Sequence, residues 1–261
     1  TAYFNNVSLL NGSTPSIAIQ SGINPGDKTT LTFGSLLSSA LGSGSSLALT
    51  SLGSSTSAMA SGDLVLNGYT VGASLSTDDT YSYAFNSGSA IAKAAAINRI
   101  TSTSNIKAEV GTTQVAGSAM SAAGTGTAGT ITINGTAISI TLASSSDYAT
   151  NRAAVVTAIN LNSGTTGVTA TDNLSTTNGI SLKAADGRNI TVAFDGTNLT
   201  ASNTGVAAAG TYAGTYTLRS LSQSSIVVSS NVGGTLANAD LGLGTFSSNT
   251  AQFTNKARSG S

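Results

Sequence analysis

Three observations predict an α+β fold that is predominantly β. Most of the chain consists of short segments in which polar and apolar residues alternate with a period of two, as in half-buried strands. Turn signals such as Asn-Gly separate many of these segments. Two stretches, 89–100 and 148–159, instead repeat apolar residues with the period of a helix. We therefore expect a sheet-rich fold with two or three helices.

The composition excludes several classes of function. Of the 261 residues, 39% are hydrophobic, which allows real cores, but only 8% are charged. Ten basic and ten acidic residues cancel, so the chain lacks the basic excess that nucleic acids and anionic membrane surfaces require. Cys and His are absent, which removes the thiol nucleophile, the imidazole base and the commonest zinc ligands. We expect no enzyme, no nucleic-acid partner and no membrane partner.

Residues 1–60 are predicted to form a β-hairpin segment followed by a linker. Ser16–Gln20 alternates polar and apolar residues, and Thr29–Phe33 does so again after a turn rich in Asn, Pro and Gly. A short helix is predicted over 33–42, with Ser35 as its cap. The Ser- and Gly-rich stretch 43–61 is interpreted as the linker.

An internal repeat follows, and it predicts two modules, 61–118 and 119–200. Gly62–Gly68 and Gly129–Gly135 are each an alternating strand that ends in Asn-Gly, and a returning strand follows each turn. An amphipathic helix comes next in both modules, and each helix reaches the tripeptide Ala-Ile-Asn, at 96–98 and 158–160. A short strand closes each unit, so the predicted module is strand, hairpin, strand, helix, strand.

Three further features complete this prediction. Ser146-Asp147 provides a cap for the second helix. The second module gains an extra hairpin from 180–183 and 189–192. Residues 201–261 are predicted to hold returning β strands and the C-terminal tail.

Four motifs have features of chemical sites, but none predicts a catalytic, cofactor-binding or metal-binding residue. Gly124–Gly129 spells G-x-G-x-x-G, but a dinucleotide site needs a helix after it and a strand is predicted there. Asp78-Asp79 could be half of a metal or acid/base site, although a solvated turn is the favoured interpretation. The Asp-Gly turns at 186–187 and 195–196 lack the alternating oxygen ligands of a calcium loop. Ser–Lys chemistry would need a lysine, and the candidates lie on predicted helix or strand faces: Lys93, Lys107 and Lys183.

The opening of the chain resembles the bacterial flagellins. Phe4–Ser13 is similar to the flagellin pattern F-N-x-x-x-L-L-[DN]-G-S, and Ile19–Asp27 to I-Q-x-G-x-N-x-G-[DE]. The chain departs from that pattern at 6–8, where flagellins more often have Gly and a basic residue. Ile133-Asn134-Gly135 also resembles the I-N-G module of flagellins and hook-associated proteins, and Leu66-Asn67-Gly68 is a conservative variant of it. Residues 239–243 resemble the stretch that returns flagellin chains to their inner domain.

This resemblance implies a structural protein, the surface-exposed variable region of a secreted flagellar filament subunit that supports motility. Its modules would form flagellin-like outer domains, its partners would be other flagellin subunits, and it would need no cofactor. The heptad-patterned helices that pack a flagellin filament core would lie outside these residues, so the fragment alone should be a monomer. Two alternatives remain open: a filament cap or hook–filament junction protein, and a secreted adhesin or glycan-binding module.

Overall fold

The computed structural model describes residues 48–123, 126–143, 146–196, 198–222, 225–231 and 236–242, together with short stretches between 3 and 32 and residues 253–254. It is mixed α and β, with more residues in strands than in helices, and its sheets are antiparallel, which confirms the predicted fold class at this level. The chain divides into two compact units, Thr1–Ser46 with Ala257–Ser261, and Leu47–Lys256.

The described strands of the first unit form two antiparallel pairs: β1 (Tyr3–Phe4) with β2 (Val7–Ser8), and β3 (Ser16–Gln20) with β4 (Lys28–Thr32). The second pair confirms the predicted hairpin, with β4 one residue earlier than expected. Gly26 lies in its turn at φ 141°, a region that L side chains rarely adopt. The helix predicted over 33–42 lies outside the described residues.

The second unit contains most of the secondary structure. Its strands are β5 (Ala48–Thr50), β6 (Val65–Leu66), β7 (Tyr69–Thr70), β8 (Ile106–Val110), β9 (Thr113–Val115), β10 (Thr127–Ile133), β11 (Thr136–Leu142), β12 (Thr169–Asp172), β13 (Ile180–Ala184), β14 (Ile190–Phe194), β15 (Gly210–Tyr212), β16 (Tyr216–Ser220), β17 (Val227–Ser229) and β18 (Phe253–Thr254). Its α-helices are α1 (Ala90–Asn98), α2 (Thr101–Ser104), α3 (Tyr148–Leu161), α4 (Ser163–Thr166) and α5 (Ala201–Thr204). Short 3-10 helices span Ser76–Asp78, Asn86–Gly88 and Leu236–Ala239.

These elements form two sets with the same strand order. One set, the enclosing module (48–110 and 216–254), has the sheets β7-β6-β17-β18 and β8-β16-β5. The other set, the inserted module (113–212), has the sheets β11-β10-β14-β15 and β12-β13-β9. The inserted module leaves the enclosing one between β8 and β16, where Gly111 N donates to Thr215 O at 2.7 Å. Part of the predicted linker, 48–50, is a strand because it completes the sheet beside β16.

Each module has its own hydrophobic core beneath its α-helix. In the enclosing module Ile97 of α1 is fully buried among strand residues such as Leu66 and Leu218. In the inserted module Ile159 of α3 is fully buried with Ile133 and Leu182. The cap predicted for α3 is present, since the side chain of Asp147 accepts from Thr150 N. In α1 the side chain of Ser89 accepts from Ala92 N in the same way.

The asparagine of each Asn-Gly turn makes the same contacts in both modules. Asn67 and Asn134 adopt left-handed conformations, with φ of 50° and 48°, as a tight hairpin turn requires. Their Nδ2 atoms donate to the carbonyls of Ser104 and Thr166, at 2.8 Å in both cases. Their Oδ1 atoms accept hydrogen bonds from backbone N–H groups of strands later in the chain. Asn67 accepts from Val227 N on β17 at 2.9 Å, and Asn134 accepts from Thr191 N on β14 at 2.8 Å. Each turn is thereby tied to the end of α2 or α4 and to a distant strand.

The asparagine of each Ala-Ile-Asn tripeptide also makes equivalent hydrogen bonds in the two modules. Asn98 accepts from Ala108 N at 2.8 Å and donates to Ala108 O at 3.0 Å. Asn160 makes the same pair of bonds with Ala170, at 2.8 and 3.0 Å. One amide side chain therefore pairs with both the N–H and the C=O of a single residue in the closing strand. These two bonds join the helix to the sheet and leave neither backbone group unpaired.

Candidate functional site

The glycine-rich stretch 124–129 leads into a strand. Residues 124 and 125 lie outside the described residues, and β10 begins at Thr127. Gly129 lies within that strand, where an added Cβ would approach Asp195 Oδ2 to 2.3 Å. In a dinucleotide-binding turn, the helix that follows points its N-terminus at the pyrophosphate. Here a strand follows the glycine-rich stretch instead.

Asp79 is buried, so the expectation of a solvated turn is wrong for this residue. Its side chain is 1% exposed, and Oδ1 accepts the backbone N–H groups of Tyr81 at 2.8 Å and Ser82 at 3.0 Å. Its Oδ2 has no hydrogen-bond partner, and neither has Oδ1 of the fully buried Asn189. The cause of the burial is tertiary, because the segment that contains Asp79 lies against the inserted module.

Asn189 forms much of this contact between the modules. Its backbone N–H donates to Ser82 Oγ at 2.9 Å, across 107 positions in the chain. Its Nδ2 donates to Ala84 O at 3.0 Å and Phe85 O at 3.2 Å. The turn before β14 is therefore bound to a loop of the enclosing module by hydrogen bonds that each join a side chain to a main-chain group. The extra hairpin predicted from 180–183 and 189–192 is wrong, because β13 and β14 lie in different sheets. β13 pairs with β12 and β9, and β14 pairs with β10 and β15.

Replacing Asp79 by Ala should lower the free energy of unfolding by about 1–3 kcal/mol, because the buried N–H of Ser82 and the partly buried N–H of Tyr81 lose their acceptor. The half-exposed Glu109 is the matched control, since it makes only surface ion pairs with Arg219 and Lys107. Glu109→Ala should cost less than about 1 kcal/mol. Urea melts of the two variants compare them, and an equal loss would contradict the structural role of Asp79.

The carboxylates of the two Asp-Gly turns accept hydrogen bonds from other groups of the protein. Asp186 accepts from the Nε and Nη2 atoms of Arg188, at 2.8 and 2.6 Å. Asp195 Oδ2 accepts from Thr130 N at 2.9 Å and thereby holds the turn against β10. Within the described part of the chain, no three acidic, His or Cys side chains lie together as a metal site would require.

The three lysines lie in different environments. Lys107 on β8 and Lys183 on β13 are exposed, as a strand face predicts. Lys93 on α1 is only 2% exposed, and its Nζ donates to Ser55 O at 2.8 Å. Burial lowers the pKa of Lys93 to about 8, and the nearby Asp240 opposes this shift. The acceptor is a main-chain carbonyl, so this contact activates no serine hydroxyl.

The sheet β12-β13-β9 bears an open groove of 530 Å³ on its outer face. It is lined by Gln114, Val115, Ala116, Thr171, Asn173, Ser181, Leu182 and Lys183. The sequence predicts Lys183 on a strand face but does not bring these residues together. The alternation of Ser181 and Lys183 with buried Leu182 indicates which residues face outward, but only the pairing of three distant strands creates the groove.

The chain matches no protein-family model and no curated protein. The resemblance to flagellins therefore depends on the motifs in the sequence. The structure adds that the module occurs twice with the same strand order. Among the described residues, no helix combines the length and the apolar character needed to span a bilayer.

Proposed function

We propose that this chain is the outer, surface-exposed domain of a bacterial flagellin and acts as a structural part of the flagellar filament. The observation that carries the proposal is the flagellin-like pattern of residues 4–27, followed by the repeated I-N-G module. The structure supports it in one respect, because the motif asparagines of both modules make the same contacts. Asn67 matches Asn134, and Asn98 matches Asn160.

The proposed role is mechanical. Each module has a core of antiparallel strands and helices, and its motif asparagines bond to the backbone, as Asn160 does to Ala170. The chain catalyses no reaction in this proposal and needs no cofactor. Its partners are other flagellin subunits, and it is secreted to the cell exterior as part of the filament that supports motility.

The complete gene product tests this proposal most directly. Long heptad-patterned helices should flank these residues on both sides, because such helices form the filament core of flagellins. Their absence from either side would contradict the assignment. The isolated fragment should sediment as a monomer, since those helices carry the surfaces for polymerisation, and fibres formed by the fragment alone would contradict that expectation.

A deletion strain separates a flagellin from a filament cap or hook–filament junction protein. Loss of the whole filament in electron micrographs, in a strain with this flagellin as its only one, supports the flagellin proposal. Filament monomers released into the medium instead would support the cap or junction protein.

A further inference from the structure

Two buried oxygen atoms at the contact between the modules have no hydrogen-bond donor among the described residues. One is Oδ2 of Asp79, whose side chain is 1% exposed, and the other is Oδ1 of the fully buried Asn189. A carboxylate oxygen and an amide oxygen only accept hydrogen bonds, so these two atoms cannot satisfy each other. Turning the Asn189 amide around does not help, because its Nδ2 already donates to Ala84 O and Phe85 O. The missing partner must be a cation or a group with hydrogen atoms to donate.

Ser82 joins the two side chains. Its backbone N–H donates to Asp79 Oδ1 at 3.0 Å, and its Oγ accepts from Asn189 N at 2.9 Å. Both unpaired oxygens therefore belong to one hydrogen-bond network, formed by the loop 79–86 and by the Asn189 side chain bound to it.

Three main-chain carbonyl groups of the same loop face amide side chains of this network. Asn86 Nδ2 donates to Asp79 O at 2.9 Å and to Ser82 O at 2.7 Å. Asn189 Nδ2 donates to Ala84 O at 3.0 Å. A carbonyl oxygen has two lone pairs, so each of these three can bind a further partner. The loop is thus rich in oxygen ligands and poor in donors.

The Asp79 carboxylate also lacks a positive partner. Among the described residues, none of the ion pairs includes Asp79. Arg188, the neighbour of Asn189, pairs with Asp186 and lies over the ring of Tyr81, 5.5 Å from its centroid. Buried charges in proteins are normally paired or coordinate a metal ion. This favours a cation over a water molecule, which would leave the negative charge uncompensated.

We propose that the contact between the modules binds one Ca²⁺ ion, with Asp79 Oδ2 and Asn189 Oδ1 as its side-chain ligands. Main-chain carbonyls of the loop 79–86 supply further oxygen ligands. Ca²⁺ binds carboxylate, amide and carbonyl oxygens in flexible arrangements, whereas Mg²⁺ demands near-ideal octahedral geometry and keeps several waters. The site differs from a cluster of acidic side chains, because only one of its ligands is charged.

A single charged ligand predicts weak affinity and a structural role. The affinity of calcium sites is set largely by the charge of their ligands, and extracellular modules bind Ca²⁺ with Kd of about 10⁻⁴–10⁻³ M. We expect a Kd in that range. The ion would tie Asn189 of the inserted module to the loop of the enclosing module, whether or not the chain is a flagellin.

Thermal melts of the 261-residue chain with and without CaCl₂ test the proposal. Because the ion binds only the folded chain, about 10 mM CaCl₂ should raise the Tm by at least about 2 °C. MgCl₂ at the same concentration, and NaCl at the same ionic strength, should each give at most about a third of this rise. The NaCl arm measures the effect of charge screening alone.

Terbium luminescence places the ion in the loop. Tb³⁺ occupies calcium sites and emits when a nearby tyrosine is excited. Tyr81 is such a tyrosine, because its N–H donates to Asp79 Oδ1 at 2.8 Å, and the chain has no Trp to interfere. We expect a saturable emission that excess CaCl₂ removes.

Two carboxylate variants sharpen the test. Asp79→Asn keeps the shape of the side chain but removes its charge, so it should abolish both the emission and the calcium-dependent rise in Tm. Asp186→Asn is the matched control, since this carboxylate lies three positions from Asn189 but pairs with Arg188. The control should retain both responses.

Three results would overturn the proposal: equal effects of CaCl₂ and NaCl on the Tm, terbium emission that CaCl₂ does not remove, or a full response in the Asp79→Asn variant. The first two use the unchanged chain, so they hold even if the variant fails to fold. A water molecule bound at these oxygens in place of an ion would give the first result. None of these results bears on the filament proposal, which depends on the flanking helices.

Discussion

Replacing Ile159 by Ala is expected to lower the free energy of unfolding by about 2–5 kcal/mol, and Ile97→Ala should have a similar effect. Both side chains are fully buried, each beneath the sheet of its own module. The loss combines the transfer free energy of the removed methyl and methylene groups with the cavity that they leave. It is a large share of the roughly 5–15 kcal/mol that stabilises a typical domain.

The same helix offers a control. Leu161, two residues after Ile159 in α3, is 81% exposed, so Leu161→Ala should change stability by less than about 0.5 kcal/mol. Denaturant melts followed by circular dichroism compare the three variants. Because Ile97 and Ile159 belong to different cores, their effects should also add in the double variant to within about 0.5 kcal/mol. Equal melting of all variants would contradict the assignment of both residues to the cores.

Stability should rise by about 2 kcal/mol between pH 8 and pH 10 because of Lys93. Burial lowers the pKa of this amine to about 8 in the folded chain, against an ordinary value of 10.5. Between these values the unfolded state binds more protons than the folded state, so the free energy of unfolding increases with pH. Below pH 8 the folded chain must bury a charged ammonium at full cost.

Tyr216, which like Lys93 lies near Asp240, opposes this rise at higher pH. The Asp240 carboxylate accepts from Ser54 N and Ser55 N, at 2.9 and 3.2 Å. Burial, with Asp240 nearby, raises the pKa of Tyr216, whose hydroxyl donates to Ala239 O. Above about pH 10 the unfolded tyrosine ionises more readily, which favours unfolding and opposes the effect of Lys93.

The variant Lys93→Met isolates this contribution. Its stability should lack the rise between pH 8 and pH 10, because no ammonium has to be neutralised. The exposed Lys107 provides the control Lys107→Met, which should retain the rise. Free energies of unfolding measured by denaturant titration at several pH values compare these proteins. An identical pH slope in the Lys93→Met variant and the unchanged chain would contradict the prediction.

Local chemistry made several elements predictable. Asn-Gly selects a tight hairpin turn within four residues, so the turns at 67–68 and 134–135 follow from the sequence. Asp147 caps α3 as predicted because an N-cap needs only an acceptor side chain and the following N–H groups. The apolar spacing of α3 likewise indicates its buried face, which includes Val155 and Ile159.

The sequence by itself thus determined a mixed class with more strand than helix, the hairpins at the two Asn-Gly turns and the two main helices, because each depends on contacts within a few positions. Only the tertiary structure decided how the strands combine. The pairing of β8 with β16 spans the whole inserted module, and no local preference encodes a partner so distant. The same long-range contacts bury Asp79 and Lys93, turn 48–50 into a strand and bring Lys183 to Gln114. Burial of a polar side chain depends on what covers it, and here the covering residues come from far along the chain.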